Sequence, residues 1–197
     1  MARTQDLVRR SELLAGVVDY IADRGLAGLS LRPVADYLDT SSRMLIHYFG
    51  TKEAMLVAAL ETQRPVVSAM FADIDDVDLL RERLWEAWEA NSEGSSSRST
   101  RVVLQVLAEA GIQGGPFLEY AQSATADIVR ELAGSLRAID PSHTDPESVA
   151  TILVSGVRGL LVDRLVTGDH DRVDRSARML IERTLPSGPD DEARETG

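Results

Sequence analysis

The sequence predicts an all-α protein with an N-terminal trihelical helix-turn-helix domain and a C-terminal helical domain, about nine helices in total. Apolar residues recur at helical spacing, as in the stripe Leu14, Val17, Val18 and Ile21. The stripes end at clusters of Gly, Pro, Ser and Asp, which favour turns. No alternating run of β-branched residues indicates a strand.

The helices follow from these stripes in chain order. The first is expected over about residues 4–24, and Ser30 can cap a short second helix over 31–38. After a break at 39–41, a third covers 42–48, and Thr51 can cap a fourth that continues to about Ala72. Later helices are expected over 79–91, 101–111, 117–139, 147–166 and 172–185. The domains are therefore expected at 1–56 and 57–185, and the polar tail 186–197 is expected to be disordered.

Charge is distributed unevenly along the chain. The net charge is −11, but residues 1–56 hold seven of the 21 basic and seven of the 32 acidic residues, so the excess acid lies beyond them. A neutral N-terminal segment followed by an acidic remainder is compatible with DNA binding by the N-terminal segment. We expect a cytoplasmic protein, because the sequence has neither a secretory signal nor a run of about 20 apolar residues.

Catalytic signatures are missing from the sequence. There is no cysteine, and none of His47, His143 and His170 has a glutamate three residues earlier, as the di-iron motif of helical bundles requires. Phosphate-binding loops and nucleophile elbows are also absent. We therefore expect no enzyme, no metal and no cofactor. A helical adaptor without sequence-specific DNA binding is the alternative to a DNA-binding protein.

Residues 30–52 carry the functional signal. Two short helices around a three-residue turn follow a long amphipathic helix, which is the layout that places the second short helix in a DNA major groove. Leu45 and Phe49 lie one turn apart and are expected to face the core. The opposite face then presents Arg43 and His47, flanked by the side chains Ser42, Met44 and Ile46. Arginine can read guanine with two hydrogen bonds, and apolar groups can touch a thymine methyl.

Hydroxyls and cations surround this face and are expected to contact phosphates. They are Ser30, Arg32, Thr40, Ser41, Tyr48 and Lys52. Lys52 is the only lysine and lies at a helix N-terminus, where the helix dipole disfavours a cation, which suggests an anionic partner.

Residues 7–60 resemble the N-terminal domain of the TetR family of regulators. The resemblance lies in residues that match the family's helix-turn-helix pattern: Ser30, Val34, Ala35, Ser41, Leu45, Tyr48, Phe49, Thr51, Lys52, Glu53 and Leu56. Two positions depart from the pattern. Asp39 replaces the usual turn glycine, although Asp tolerates the left-handed region, and Ile46 replaces a tyrosine that commonly contacts phosphate.

The resemblance implies a homodimeric repressor that binds a palindromic operator through its N-terminal domain. It also implies that a small molecule binds the C-terminal ligand-binding and dimerisation domain, shifts the fourth helix and so releases the DNA. Candidate ligand contacts are Met70, Trp85, Trp88, Gln105, Phe117 and Tyr120, although for any single one of them plain core is the favoured alternative.

The last two predicted helices, the eighth and ninth, are expected to form the dimer interface. Ser155, Gly156 and Gly159 would allow a close approach on the eighth, and the ninth offers an apolar stripe: Val173, Ala177, Leu180 and Ile181. Arg158, inside this apolar stretch, either pairs with an acid across the dimer interface, which is the expected arrangement, or faces the pocket and holds an anionic ligand.

Overall fold

The computed structural model describes residues 2–26, 29–62, 64, 67–94 and 96–185, and within them every regular element is a helix. The ten helices are α1 (Ala2–Arg24), α2 (Leu31–Tyr37), α3 (Ser42–Phe49), α4 (Lys52–Glu61), α5 (Val67–Met70), α6 (Val77–Ser92), α7 (Ser97–Gln113), α8 (Gly115–Ile139), α9 (Pro146–Thr167) and α10 (His170–Thr184). The all-α prediction is therefore confirmed. The tail 186–197 lies outside the described residues.

Two compact units share the chain, and each is built from two separate segments. The first comprises Met1–Pro65 with Arg98–Ala124, and the second comprises Val66–Ser97 with Thr125–Gly197. The domain boundary expected after residue 56 remains a prediction, since the two units reflect packing and not function.

The first unit closes around the apolar stripe of α1. Val17 and Ile21 are fully buried there, together with Val102 and Val106 of α7. Helix α7 also makes a polar contact, because Gln105 Oε1 accepts the Leu26 backbone N–H at 3.1 Å. Helix α7 thus contributes both apolar and polar contacts to the unit that contains α1 to α4.

The predicted fourth helix is shorter than expected. Helix α4 ends at Glu61, and the four-residue α5 follows at Val67–Met70. Pro65, which stands between them in the sequence, has no N–H to donate and disfavours a helical residue before it. The expectation of one helix to Ala72 is therefore wrong. The separate α5 explains why the described residues form ten helices where about nine were expected.

The second unit pairs α9 with α10 closely. A Cβ on Gly156 would lie 2.5 Å from Leu180 Cδ2, so the missing side chain of Gly156 lets α10 approach. Val173, Ala177 and Ile181 of α10 are also buried within the same chain. Gly156 thus allows the close helix approach that the sequence predicts. Val173, Ala177 and Ile181 are covered by their own chain and not by a second copy, and the use of α9 and α10 in a dimer stays a prediction.

A buried arginine links the ends of three helices in this unit. The side chain of Arg164 in α9 is 6 % exposed and donates to Asp174 Oδ1 of α10 at 2.7 Å, and it also pairs with Glu93 after α6. The indole Nε1 of Trp88 in α6 donates to the same Asp174 oxygen at 3.0 Å. Asp174 therefore satisfies two donors that are themselves buried.

No helix among the described residues is both long and apolar enough to cross a membrane.

Candidate nucleic-acid interface

The reading head, defined here as α2, the turn 38–41 and α3, is held by a tight left-handed turn. Asp39 has φ 48°, its N–H donates to Asp36 O at 3.4 Å, and the next N–H, of Thr40, donates to Ala35 O at 2.9 Å. This pair of bonds is the Schellman pattern that normally ends on glycine. Asp39 therefore adopts the left-handed conformation that its sequence position predicts.

Helix α2 is tied to α1 by a polar contact outside the turn. The Tyr37 hydroxyl donates to Asp23 Oδ2 at 2.8 Å, and Arg98 of α7 donates to Asp23 Oδ1 at 2.8 Å. The Tyr37 hydroxyl and the Arg98 guanidinium together hold the pKa of Asp23 below its ordinary value. A charged Asp23 thus fixes the orientation of α2 relative to α1 and α7.

Helix α3 has one buried and one exposed face. Leu45 is fully buried and Phe49 is 9 % exposed, so both anchor the helix to the core. Arg43 and His47 lie on the opposite face and are exposed. Met44 and Ile46 beside them are 39 % and 48 % exposed, so both can contact a partner. Ser42 is half-buried. The structure brings the expected base-reading side chains together on one surface.

The hydroxyls near α3 play different local roles. Ser41 caps α3 by accepting the Met44 N–H at 3.2 Å, whereas the Ser30 hydroxyl makes no capping bond at the start of α2. Ser30 and Arg32 are exposed, and Thr40 is half-buried. The exposed hydroxyl of Ser30 and the guanidinium of Arg32 are therefore positioned to reach an anion from the N-terminus of α2, while Ser41 also determines where α3 begins.

Tyr48 is paired with an acid of α1. The nearby Asp6 carboxylate raises the pKa of Tyr48 above its ordinary value, and burial acts in the same direction. The ring is half-buried and lies edge-on to His47, with 5.3 Å between centroids. The carboxylate beside Tyr48 competes with a phosphate for its hydroxyl, so the role of Tyr48 in binding phosphate stays a prediction.

Lys52 begins α4 at the far end of the reading head. Thr51 caps this helix by accepting the Ala54 N–H at 3.0 Å, as the sequence predicts. The Lys52 ammonium lies 3.6 Å from Glu53 Oε1, and both side chains are partly exposed. A surface pair of this kind is weak, so the lysine can exchange its carboxylate partner for a phosphate at little cost.

One cation at this surface was missed by the sequence reasoning. The Arg10 guanidinium of α1 lies over the Phe49 ring, 5.3 Å from its centroid. Among the described residues, no carboxylate lies within 4 Å of Arg10. The signal was present in the sequence, because Arg10 stands one turn before Leu14 on the face of α1 that points toward the core.

The six residues expected to line a ligand pocket are divided between the two units. Gln105, Phe117 and Tyr120 belong to the first unit, where the Tyr120 hydroxyl donates to Leu60 O at 3.3 Å and burial raises the pKa of Tyr120. The other three, Met70, Trp85 and Trp88, belong to the second unit. Trp85 lies under the Arg178 guanidinium, 4.1 Å from the ring centroid. Their contact with a ligand remains a prediction.

Comparison with protein families finds one matching model. Residues 13–59 match the model described as bacterial regulatory proteins, tetR family. The matched segment contains most of α1, the whole reading head and most of α4. A sequence comparison with curated proteins finds no match.

Solved structures share the fold at low sequence identity. A transcriptional regulator from Rhodococcus sp. Rha1 is 22 % identical with a TM-score of 0.73, and the match covers 89 % of this chain and 95 % of that one. A TetR transcriptional regulator from Legionella pneumophila is 18 % identical with a TM-score of 0.73, covering 89 % and 96 %. A regulator from Saccharomonospora viridis, solved in complex with choline, is 22 % identical with a TM-score of 0.72, covering 88 % and 95 %. These likenesses concern the fold.

Proposed function

We propose that the chain, whose residues 13–59 match the model of the tetR family of bacterial regulatory proteins, is a transcriptional repressor that a small molecule releases from a palindromic operator. The observation that carries the proposal is the exposed face of α3, where Arg43, His47, Met44 and Ile46 stand opposite the buried Leu45. The family match, and not the lack of a catalytic motif, decides against an enzyme. A DNA-binding repressor acts in the cytoplasm.

Contacts to the operator divide into two classes. Arg43 reads a guanine edge, and Met44 and Ile46 contact thymine methyl groups, which gives sequence preference. Phosphates are held by Ser30, Arg32, Thr40, Ser41, Tyr48 and Lys52, to which we add Arg10, while His47 and Ser42 belong to the base-reading face beside Arg43. The phosphate contacts position the protein without reading sequence.

A second copy of the chain is expected to dock on the open face of α9. Ile152, Val162 and Val166 are 53 %, 45 % and 79 % exposed, and Gly159 on the same side has open space around it. On α10, Met179 is 52 % exposed and extends this surface. The dimer therefore uses α9 with the outer side of α10. A two-fold axis through this surface would pair two reading heads and require a palindromic operator.

Release by an effector is supported by the continuity of α8. The helix runs unbroken from Gly115 to Ile139, with residues in both compact units, and its Tyr120 bonds the carbonyl of Leu60 near the end of α4. An effector that displaces α8 would thus act on α4 and on Lys52 at its start. SmeT, one of the structurally similar proteins, is described as the repressor of a multidrug efflux pump, and EbrR was solved with imidazole, which supports small-molecule control.

The test is selection of bound fragments from random DNA, followed by fluorescence anisotropy on the selected site. We expect a palindrome, and a loss of about 1–3 kcal/mol, roughly 5- to 150-fold in affinity, for Arg43→Ala. Lys52→Ala and Arg10→Ala should weaken binding to all sequences and each lower the salt slope by about one. The matched control is Arg83→Ala, an exposed arginine of the second unit paired with Glu86.

Two results would contradict the proposal. Unchanged affinity in the Arg43→Ala, Lys52→Ala double variant would favour the adaptor alternative, provided that circular dichroism shows the variant folded. A selected site without internal symmetry, bound by one chain, would refute the palindromic operator and the dimer.

A further inference from the structure

Arg158, in the middle of α9, has no charged partner in the part of the chain that the structure describes. Its side chain is half-buried, and Nη1 donates to Thr125 Oγ1 of α8 at 3.1 Å. No carboxylate of the described residues lies within 4 Å of the guanidinium. A charge in this position has lost part of its hydration and gained only a neutral hydroxyl.

Arg164, less than two turns further along α9, differs from Arg158 because carboxylates compensate its charge. Arg164 is more deeply buried, and two carboxylates, Asp174 and Glu93, compensate its charge. Burial alone lowers the pKa of Arg158, with no carboxylate acting against it. A chain with 32 acidic residues places none of its described carboxylates at this arginine.

The surroundings of Arg158 are apolar on both helices. Val154 and Leu161, one turn before and after it on α9, are 8 % and 6 % exposed. On α8, Ile128 and Val129 follow Thr125 by one turn and pack against the hydrophobic cluster that contains Val154. A guanidinium and a hydroxyl beside an apolar wall match a molecule with an anionic head and an apolar body.

We infer that Arg158 and Thr125 form the anion-binding end of the effector site, and that the effector is an amphipathic carboxylate. The guanidinium fork donates to both carboxylate oxygens, and Thr125 can turn its hydroxyl to donate a third bond. This inference rests on the proposed function in one respect, namely that effector binding releases DNA.

An acid from a second copy is the competing partner, and the geometry disfavours it. Arg158 reaches toward α8 of its own chain and not away from it. In a two-fold interface each copy presents the same surface to the other. The open face of α9 presents apolar or small side chains, Ile152, Ser155, Gly159 and Val162, so this face of α9 itself offers no carboxylate.

The test uses Arg158→Met in the full chain, with Arg83→Met as the matched exposed control. Thermal unfolding, sedimentation equilibrium and titration calorimetry are measured with no DNA present. The probes are octanoate and 2-naphthoate, each paired with its neutral carboxamide. We expect Arg158→Met to raise the melting temperature and to leave the dimer intact, because an uncompensated charge is removed. Carboxylate affinity should fall at least about tenfold in this variant, while carboxamide affinity stays unchanged.

Each other outcome overturns the inference. A lower melting temperature together with a weakened dimer would assign Arg158 to an acid of the second copy. Equal carboxylate affinity in wild type and Arg158→Met, or no carboxylate binding to wild type, would exclude this anion site. Anisotropy on the selected operator separates the two proposals. Failure of the wild-type chain to bind DNA when no carboxylate is present refutes the proposed function, whereas carboxylate binding that does not release DNA refutes only the link between the two proposals.

Discussion

Replacing Asp174 by alanine should destabilise the second unit more than its partly exposed position suggests. The change removes the acceptor at 2.7 Å from Arg164 and the acceptor at 3.0 Å from the Trp88 indole. Arg164 is 5 % exposed and Trp88 is 1 % exposed, so neither group can turn to water. Two buried donors therefore lose one shared partner.

The magnitude can be worked out from these exposures. Removing one partner of a buried ion pair costs about 3–5 kcal/mol, but the Asp174 side chain is 38 % exposed and Glu93 still faces Arg164, which reduces this to about 2 kcal/mol. An indole N–H left unsatisfied adds about 1 kcal/mol. The sum of about 3 kcal/mol corresponds to a fall in melting temperature of roughly 6–12 °C for a chain of this size.

The assay is calorimetric or urea unfolding at one fixed protein concentration, because dimerisation shifts apparent stability. Glu93→Ala is the matched control, since it removes the other carboxylate at Arg164. Because the Glu93 side chain is 62 % exposed, we expect this change to lower the free energy of unfolding by less than about 1 kcal/mol. If Asp174→Ala costs no more than Glu93→Ala, the shared acceptor does not stabilise the unit and the reasoning is refuted.

Three further predictions concern local structure. Asp39→Gly should stabilise the chain by up to about 1 kcal/mol, because it relieves the left-handed strain at φ 48°; urea unfolding that shows a loss would contradict this. Thr51→Ala should cost about 1 kcal/mol by removing the cap on Ala54 N–H, and Thr51→Ser, which keeps the hydroxyl, should recover most of it in the same assay. The Arg172 guanidinium lowers the pKa of Asp163. The stability that this carboxyl contributes is therefore present at pH values above its ordinary pKa of 3.8 and is lost as the pH falls below that value. Asp163→Asn should flatten the acid limb of urea midpoints measured from pH 7 to 3, and an unchanged limb would argue against the pair.

Local signals let the reading head and the start of α4 be predicted in detail. The Thr51 cap, the left-handed Asp39 and the buried Leu45 each depend on residues within a few positions in the sequence. Such features are determined by hydrogen bonds of the nearby backbone and by helical periodicity, both of which are visible in a single sequence.

Long-range contacts could not be predicted in the same way. Gln105 looked like a polar pocket residue, and its bond to the Leu26 N–H spans 79 positions. Likewise, the stripe of Val173 and Ala177 shows that α10 buries one face, but periodicity does not say whether its own chain or a second copy covers that face. The break after Glu61 was predictable, because Pro65 stands shortly beyond it.

The discontinuous make-up of the first unit limits how the chain can be recombined. Val102 and Val106 are fully buried in the core that α1 to α4 share, although 40 residues of sequence separate them from Glu61. A chimera that joins only the first 65 residues to a foreign ligand-binding domain would lack the α7 side chains and would expose the apolar surface of that core to solvent. Swapping DNA specificity between such proteins is therefore better done by exchanging the surface of α3 alone, where Arg43 and His47 can change without disturbing any buried side chain.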